Sequence, residues 1–261
     1  MHVLQSYKER YQITLWHVNH GLQHNAQTME DFASDQAHFY GLGYRVDRLE
    51  LNAEKGNLEA RARNQRYALF AQGLQAEDAL LTAHHMNDQA ETLLLNMMRG
   101  SGPAGLRAIA TDNPLGSGIL FRPLLDTTRN EIEQYADFHQ LQWIEDPSNA
   151  DCHFDRNYLR HEVLPVILRR WPGANQQLHR VSELQSEAEQ IQAELALIDW
   201  EQAVCGSNVS EHTRLSIKVL QVLSPVRQRN LIRYWLNQCG VKPVGYKKLH
   251  ELVRQLSFNR G

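Results

Sequence analysis

The segment Thr82-Ala83-His84-His85-Met86-Asn87-Asp88-Gln89-Ala90-Glu91-Thr92, which runs on to Arg99-Gly100-Ser101-Gly102, gathers imidazole, carboxylate, amide, hydroxyl and guanidinium groups into one short stretch. The apolar run Ala79-Leu80-Leu81 precedes it and reads as a buried strand. Beyond His85 the apolar residues Met86, Ala90, Leu93, Leu94, Met97 and Met98 recur at helical spacing. The polar cluster therefore falls where strand gives way to helix. Ligands bind at that edge of an open α/β sheet, and the free N–H groups of a helix start suit an anion. His84, Asp88 and Glu91 stand at i, i+4 and i+7 and share one helix face beside Thr92. An ordinary solvated helix face has the same spacing. A metal site has less support, because no His-x-x-x-His pair or cysteine cluster accompanies the acids.

Working outward, Ile13–Val18 alternates apolar and polar and is expected as a strand. A helix over Gln27–Leu42, ended by Gly41 and Gly43, leads to a second strand over Tyr44–Leu51. Asn57 is placed to cap a helix over Leu58–Leu74, and Ala79–Ala83 is the next strand. Alternation of this kind implies a parallel sheet with helical crossovers. After Phe121 the chain turns helical, with Thr128 and Glu131 as a capping box and Pro165 expected to end or kink a helix that begins near Arg156. Residues 174–203 carry Leu178, Val181, Leu184, Ala188, Ile191, Leu195 and Ile198 at three- and four-residue intervals. They read as one long connecting helix, with a coiled coil as the weaker alternative. Gly206-Ser207-Asn208 marks a break before a helical, basic remainder. The expected fold class is α/β: a doubly wound parallel sheet over residues 1–173, a connecting helix over 174–205 and part of a small helical domain over 206–261.

Composition sets bounds on function. The 261 residues are 42% hydrophobic, enough for more than one core. Cys152, Cys205 and Cys239 are widely spaced without a C-x-x-C, which argues against a disulfide framework or an iron–sulfur site and suits a reducing cytoplasm. No 18-residue apolar run or basic-then-apolar leader occurs, so neither a membrane span nor a secretory signal is expected. Residues 218–261 hold nine Lys/Arg against one acid, Glu251, a net of +8, while the rest of the chain carries −11. A polyanion partner fits that asymmetry, with Arg227, Arg229, Arg233, Lys247 and Lys248 as phosphate contacts. Solvated helix faces account for it equally well.

The string AHHMNDQAETLLLNMMRGSGPAGL resembles the signature of the bacterial tRNA(Ile)-lysidine synthetase family, which belongs to the PP-loop, or N-type ATP pyrophosphatase, enzymes. HVNHGL at His17–Leu22, EARARNQRY at Glu59–Tyr67, FRPLL at Phe121–Leu125, EDPSN at Glu145–Asn149 and FDRNYLRHEVLP at Phe154–Pro165 follow the family order. The family's Ser-Gly-Gly-x-Asp-Ser loop is not in this sequence, and Asn87 stands where the family often has a second Asp. On that comparison the chain is expected to lack the first strand, the phosphate loop and a C-terminal domain, and to be a truncated form with impaired activity.

The resemblance implies ATP-dependent ligation of lysine to C2 of the wobble cytidine of tRNA(Ile), with release of AMP and pyrophosphate. ATP, Mg²⁺, free L-lysine and tRNA(Ile) with a CAU anticodon are the implied ligands, the cytoplasm is the implied location, and the reading admits a homodimer. Arg63, His84 and Asp88 would be catalytic, as charge stabiliser, proton-handler or phosphate contact, and metal or lysine-amine contact respectively. His17, Asn19, His20 and Arg66 would form the ATP wall, and Asp88 would hold Mg²⁺. Arg99, Ser101, Arg122, Arg156, Arg160, Arg229 and Arg233 would meet tRNA. Without the resemblance, Glu59 and Arg63 are a surface i, i+4 ion pair, and Asp146, Ser148 and Asn149 are turn-formers around Pro147. Two other functions stay open: a different PP-loop enzyme, such as a tRNA thiolase or an amidating pyrophosphatase, and a non-catalytic tRNA-binding remnant.

Overall fold

Strand and helix alternate from Thr14 to Met98, as the hydrophobic periods require. The computed structural model describes residues 1–21, 25–49, 58–205, 214–241 and 244–258. A 3-10 turn over Leu4–Tyr7 leads to β1 (Thr14–Asn19), α1 (Ala26–Tyr40), β2 (Gly43–Arg48), α2 (Leu58–Gly73), β3 (Ala79–Leu81) and α3 (Met86–Met98). The expected cap at Asn57, the end of the second strand at Leu51, the Glu59 side chain and the break at Gly206–Asn208 lie outside the described residues. β1 and β2 pair in parallel from Thr14 against Gly43 to Asn19 against Arg48.

Contacts gather the chain into two compact units, residues 1–91 with 109–175, and residues 92–108 with 176–261. In the first unit β3 belongs to a second sheet of order β3-β5-β4. The short α4 (Pro103–Leu106) precedes β4 (Asp112–Leu115) and β5 (Gly118–Phe121). β5 runs parallel to β3 and antiparallel to β4. This hairpin was not expected from the sequence. Pro114 cannot donate to a ladder, but it sits on β4, an edge strand where its missing N–H does no harm. Gly116 turns the hairpin with φ +59°, and a Cβ there would run into the Ala71 carbonyl, so the tight turn requires glycine.

α5 (Arg129–Phe138) begins with the expected capping box: Thr128 Oγ accepts from the Glu131 N–H at 3.2 Å, and Glu131 accepts from the Thr128 N–H at 2.8 Å. Asp146 then caps a 3-10 turn over Pro147–Ala150 by accepting from the Ser148 N–H at 2.9 Å. The helix from Asp155 does not stop at Pro165. It runs as α6 (Asp155–Tyr158), a π turn over Leu159–Val163, and α7 (Leu164–Arg170). The wider π turn accommodates the proline ring, which would otherwise clash with the carbonyl four residues back.

α8 (Ala174–Ala203) runs unbroken over the expected thirty residues, all but its first two in the second unit. Two-residue strands β6 (Val204–Cys205) and β7 (Arg214–Leu215) pair antiparallel. They precede α9 (Ile217–Val222), α10 (Pro225–Gln238) and α11 (Tyr246–Phe258). Ser216 and Ser224 cap α9 and α10, and Pro225 opens α10 at a position that needs no N–H. Ala203, Leu220, Leu231, Ile232, Leu249 and Val253 form the core of these helices.

Candidate active site

The carboxyl ends of the parallel strands β3 and β5 carry the polar cluster. Thr82 continues β3 by donating its N–H to the Phe121 carbonyl at 3.0 Å, and Arg122 follows β5 directly. α3 starts at once, its Met86 N–H held by the Thr127 carbonyl at 2.9 Å. Asp88 closes the first turn by accepting from the His85 N–H at 3.0 Å. The i, i+3 spacing of Asp88 and Glu91 turns both acids inward, and Glu91 is 1% exposed.

Two arginines meet these acids. Arg156 donates from Nη2 to Asp88 Oδ1 and from Nε to Glu91 Oε2, each at 2.7 Å. Arg160 donates to Glu91 in the bidentate manner, at 2.7 and 3.0 Å, and its Nη2 lies 3.5 Å from Asp88 Oδ1. The arginines, four residues apart across α6 and the π turn, thus meet acids three residues apart on the first turns of α3. Charge-assisted, forked bonds of this kind are the strong class of protein hydrogen bond. Glu91 was not singled out as a site residue from the sequence; the paired spacings on two separate helices were the signal that could have found it.

His84 sits beside this cluster with Nδ1 3.0 Å from Thr82 Oγ1. Burial lowers its pKa to about 4; Asp88 pulls upward, and the Arg122, Arg156 and Arg63 guanidiniums push down. His84 is therefore neutral at pH 7. Burial also lowers the His85 pKa, against the pull of Asp88 and Glu91. Arg122 is 6% exposed. It donates from Nη1 to the Ala110 carbonyl at 2.5 Å, and Asn113, with its amide oxygen turned toward it, accepts from the same atom at 3.2 Å. The Arg122 Nε is buried without a partner, and no carboxylate pairs with this guanidinium among the described residues. Arg63, on the exposed side of α2, completes the positive field around His84.

The four residues expected to wall ATP divide into two roles. Burial, then the charges of Arg66 and His17, lower the His20 pKa, so these three side chains share one neighbourhood at the end of β1. His20 Nδ1 is buried and unpartnered. Asn19 instead braces structure: it donates to Glu30 at 2.7 Å and accepts from the Gly21 N–H at 2.8 Å. Glu30 also takes Arg48, at 2.5 and 3.2 Å, and these bonds hold its carboxyl at a pKa of about 2.

The residues expected at the tRNA surface scatter. Arg122 is buried, and Arg156 and Arg160 face carboxylates rather than solvent, so their placement differs from that of outward phosphate contacts. Arg99 and Ser101 belong to the second unit, in the turn that closes α3, where the Ser101 N–H meets the Asn96 carbonyl at 3.0 Å. Arg229 and Arg233 lie one turn apart on α10. Arg227 pairs with Asp199, which is wholly buried, and so departs from its expected place among the phosphate contacts.

The donors around Asp88 do not fit a protein-held Mg²⁺. Its two oxygens serve Arg156 and the His85 N–H, Glu91 serves both arginines, and no group of three acids, histidines or cysteines converges among the described residues.

Residues 1–167 match the PP-loop domain family model and residues 215–261 match the TilS substrate binding domain. The tRNA(Ile)-lysidine synthase of Alkalilimnicola ehrlichii is 43% identical over 244 residues, covering 92% of this chain and 53% of that protein. The Proteus mirabilis protein of the same name is 36% identical, covering 99% of this chain and 58% of its own length. The Pseudomonas aeruginosa one is 42% identical, covering 85% and 51% respectively. The chain thus spans about half the length of the curated relatives it matches. Among solved structures, the U34-tRNA thiolase NcsA of Methanococcus maripaludis shares the fold, with a TM-score of 0.57 and 17% identity over 70% of this chain and 65% of that one. With its first 167 residues matched from end to end, the chain belongs to the PP-loop domain family.

Proposed function

We propose that this chain carries the ATP- and lysine-handling site of an enzyme that ligates lysine to C2 of the wobble cytidine in tRNA(Ile) with a CAU anticodon. In that reaction the cytosine O2 attacks the α-phosphorus of ATP and pyrophosphate leaves. The ε-amine of lysine then adds to C2, the C2–O bond breaks, and AMP leaves with the pair of electrons. Both steps need stabilisation of anionic phosphate.

The observation that carries the reading is Arg122, a buried guanidinium at the ligand edge of the sheet with no carboxylate partner among the described residues. Asp88 and Glu91 neutralise Arg156 and Arg160, which among the described residues leaves Arg122 and Arg63 as the surplus charge around His84. An anion is the ligand this field favours. His84, with a pKa of about 4, is too weak a base to hold a proton at neutral pH before ligands bind, so phosphate contact is its better role. Of the two acids Asp88 is the more exposed, 9% against 1% for Glu91, and it is the one a lysine ammonium can reach. Arg156 and Arg160 act as positioning residues, and His17, His20 and Arg66 flank the nucleotide. A cytoplasmic setting follows from the tRNA substrate.

The test uses a full-length version, built by joining the chain to the flanking segments of the Alkalilimnicola ehrlichii relative. It is incubated with ATP, labelled lysine and tRNA(Ile) transcript. The expected result is incorporation that requires ATP and the CAU anticodon, and that Arg122→Met abolishes without weakening tRNA binding. Incorporation indifferent to Arg122→Met, or ATP-dependent transfer of sulfur instead of lysine, would contradict the proposal.

A further inference from the structure

The second unit holds a groove of its own. It lies between the start of α10 and the first turns of α11, has a volume of about 510 Å³, and is lined by Arg229, Tyr246, Lys247, His250, Glu251 and Arg254 among others. That volume is within the roughly 300–1,000 Å³ range of small-ligand sites. Arg254 is claimed by Glu251 through two hydrogen bonds of 2.9 Å each. Arg229 and Lys247 have no carboxylate partner among the described residues. Burial first, and then the charge of Arg229 one turn earlier, lower the Arg233 pKa, so the two guanidiniums lie near one another on α10.

Tyr246 is 73% exposed. Its ring packs on His250 one turn later, with centroids 4.1 Å apart and planes at 41°. That contact fixes the ring's direction and leaves the rest of it open. His250 Nε2 is buried without a hydrogen-bond partner, an unmet polar atom in the wall of the groove. A cationic pair beside an oriented, exposed aromatic ring is the combination that binds a nucleotide: cations take the phosphate and the ring takes a base face.

We infer that this groove takes one unpaired nucleotide of an RNA strand, its phosphate between Arg229 and Lys247 and its base stacked on Tyr246. The inference rests on the tRNA reading proposed above and adds to it a place and a strand type. In a duplex the base faces are stacked within the helix and only backbone and groove edges are reachable. Stacking on Tyr246 therefore selects a single-stranded segment.

The test titrates the 261-residue chain against fluorescent tRNA(Ile) transcript, with a four-nucleotide single-stranded RNA and a blunt RNA duplex as competitors. Tyr246→Ala should weaken binding of the tRNA and of the single strand by roughly fivefold or more, as loss of a base stack does. Tyr246→Phe should stay within about twofold, because the ring face is kept. Arg229→Gln and Lys247→Gln should each flatten the plot of log affinity against log salt by ~0.7, the value for one single-strand phosphate. Thermal melts of each variant report that the fold is kept, as expected for side chains at the surface. Normal tRNA binding by Tyr246→Ala would overturn the groove assignment and leave the tRNA reading standing. So would a duplex that competes as well as the single strand. A wild-type chain that binds no tRNA would overturn both.

Discussion

The arginines of the two units differ in what faces them. In the first unit Arg156 and Arg160 make four hydrogen bonds of 2.7–3.0 Å to Asp88 and Glu91. In the second, Arg229 and Lys247 line an open groove with no carboxylate of their own among the described residues. The contrast recurs within α10: Arg227 is spent on buried Asp199, while Arg229, two residues on, faces the groove. Linear charge does not distinguish these cases. An arginine held by a buried acid is part of the scaffold, and removing either partner exposes the other to an uncompensated burial cost. An arginine without an acid is a site waiting for an anion. The net +8 of residues 218–261 therefore overstates the charge available to a polyanion.

The largest effect should come from the scaffold side. Glu91→Gln leaves two guanidiniums facing a neutral amide in a site that is 1% exposed, and breaking a buried pair in this way costs about 3–5 kcal/mol. Urea unfolding should show that loss, and a loss under about 1 kcal/mol would mean that the cluster is better solvated than its geometry implies.

A smaller contrast is set within α10. Arg227→Met should lower the denaturation midpoint of the second unit, because Asp199 is left charged and wholly buried. Arg229→Gln should leave stability within about 0.5 kcal/mol, as surface changes do, and weaken RNA binding instead. If the two variants behave alike in both assays, the division between scaffold and groove arginines fails.

Acid should separate the same classes by pH window. The His84 pKa is lowered from 6.5 to about 4, so between those values the unfolded chain binds the proton and the folded one does not. Stability therefore falls as pH drops through that range. Glu30, lowered from 4.5 to about 2, adds a second loss across its own window, since its carboxylate bonds exist only when it is ionised. Melting curves of the wild type and of His84→Gln should diverge in slope between pH 6.5 and 4 and run parallel above. Identical slopes throughout would show that His84 is not buried as a neutral ring. The smallest effect, about 1 kcal/mol from loss of a helix cap, is expected for Thr128→Ala in thermal melts.

Elements governed by local chemistry were legible in the sequence. The Thr128–Glu131 box, the start of α3 and the whole of α8 follow from capping residues and helical periodicity. The β4–β5 hairpin was not, because its strands are four residues long and Pro114 reads as a strand breaker until the edge position is known. Nor was the π turn at Leu159–Val163, since the residues on either side keep an ordinary helical pattern. At the site, the chemistry-bearing residues of α3 could be named from spacing and from the family resemblance. Their pairing could not, because Arg156 and Arg160 stand 65 or more positions along the chain from the acids they hold. The part Asn19 plays in holding Glu30 is hidden for the same reason, since the two stand on different elements.

A neutral His84 ring beside the Arg122 and Arg63 guanidiniums should draw an anion. Nitrogen-15 NMR of histidine-labelled chain, with His84→Gln used for assignment, measures this directly. The His84 ring should titrate near pH 4 in the free protein, and inorganic pyrophosphate should move that midpoint upward, because a bound anion favours the protonated ring. A midpoint near 6.5 that pyrophosphate leaves in place would contradict the account.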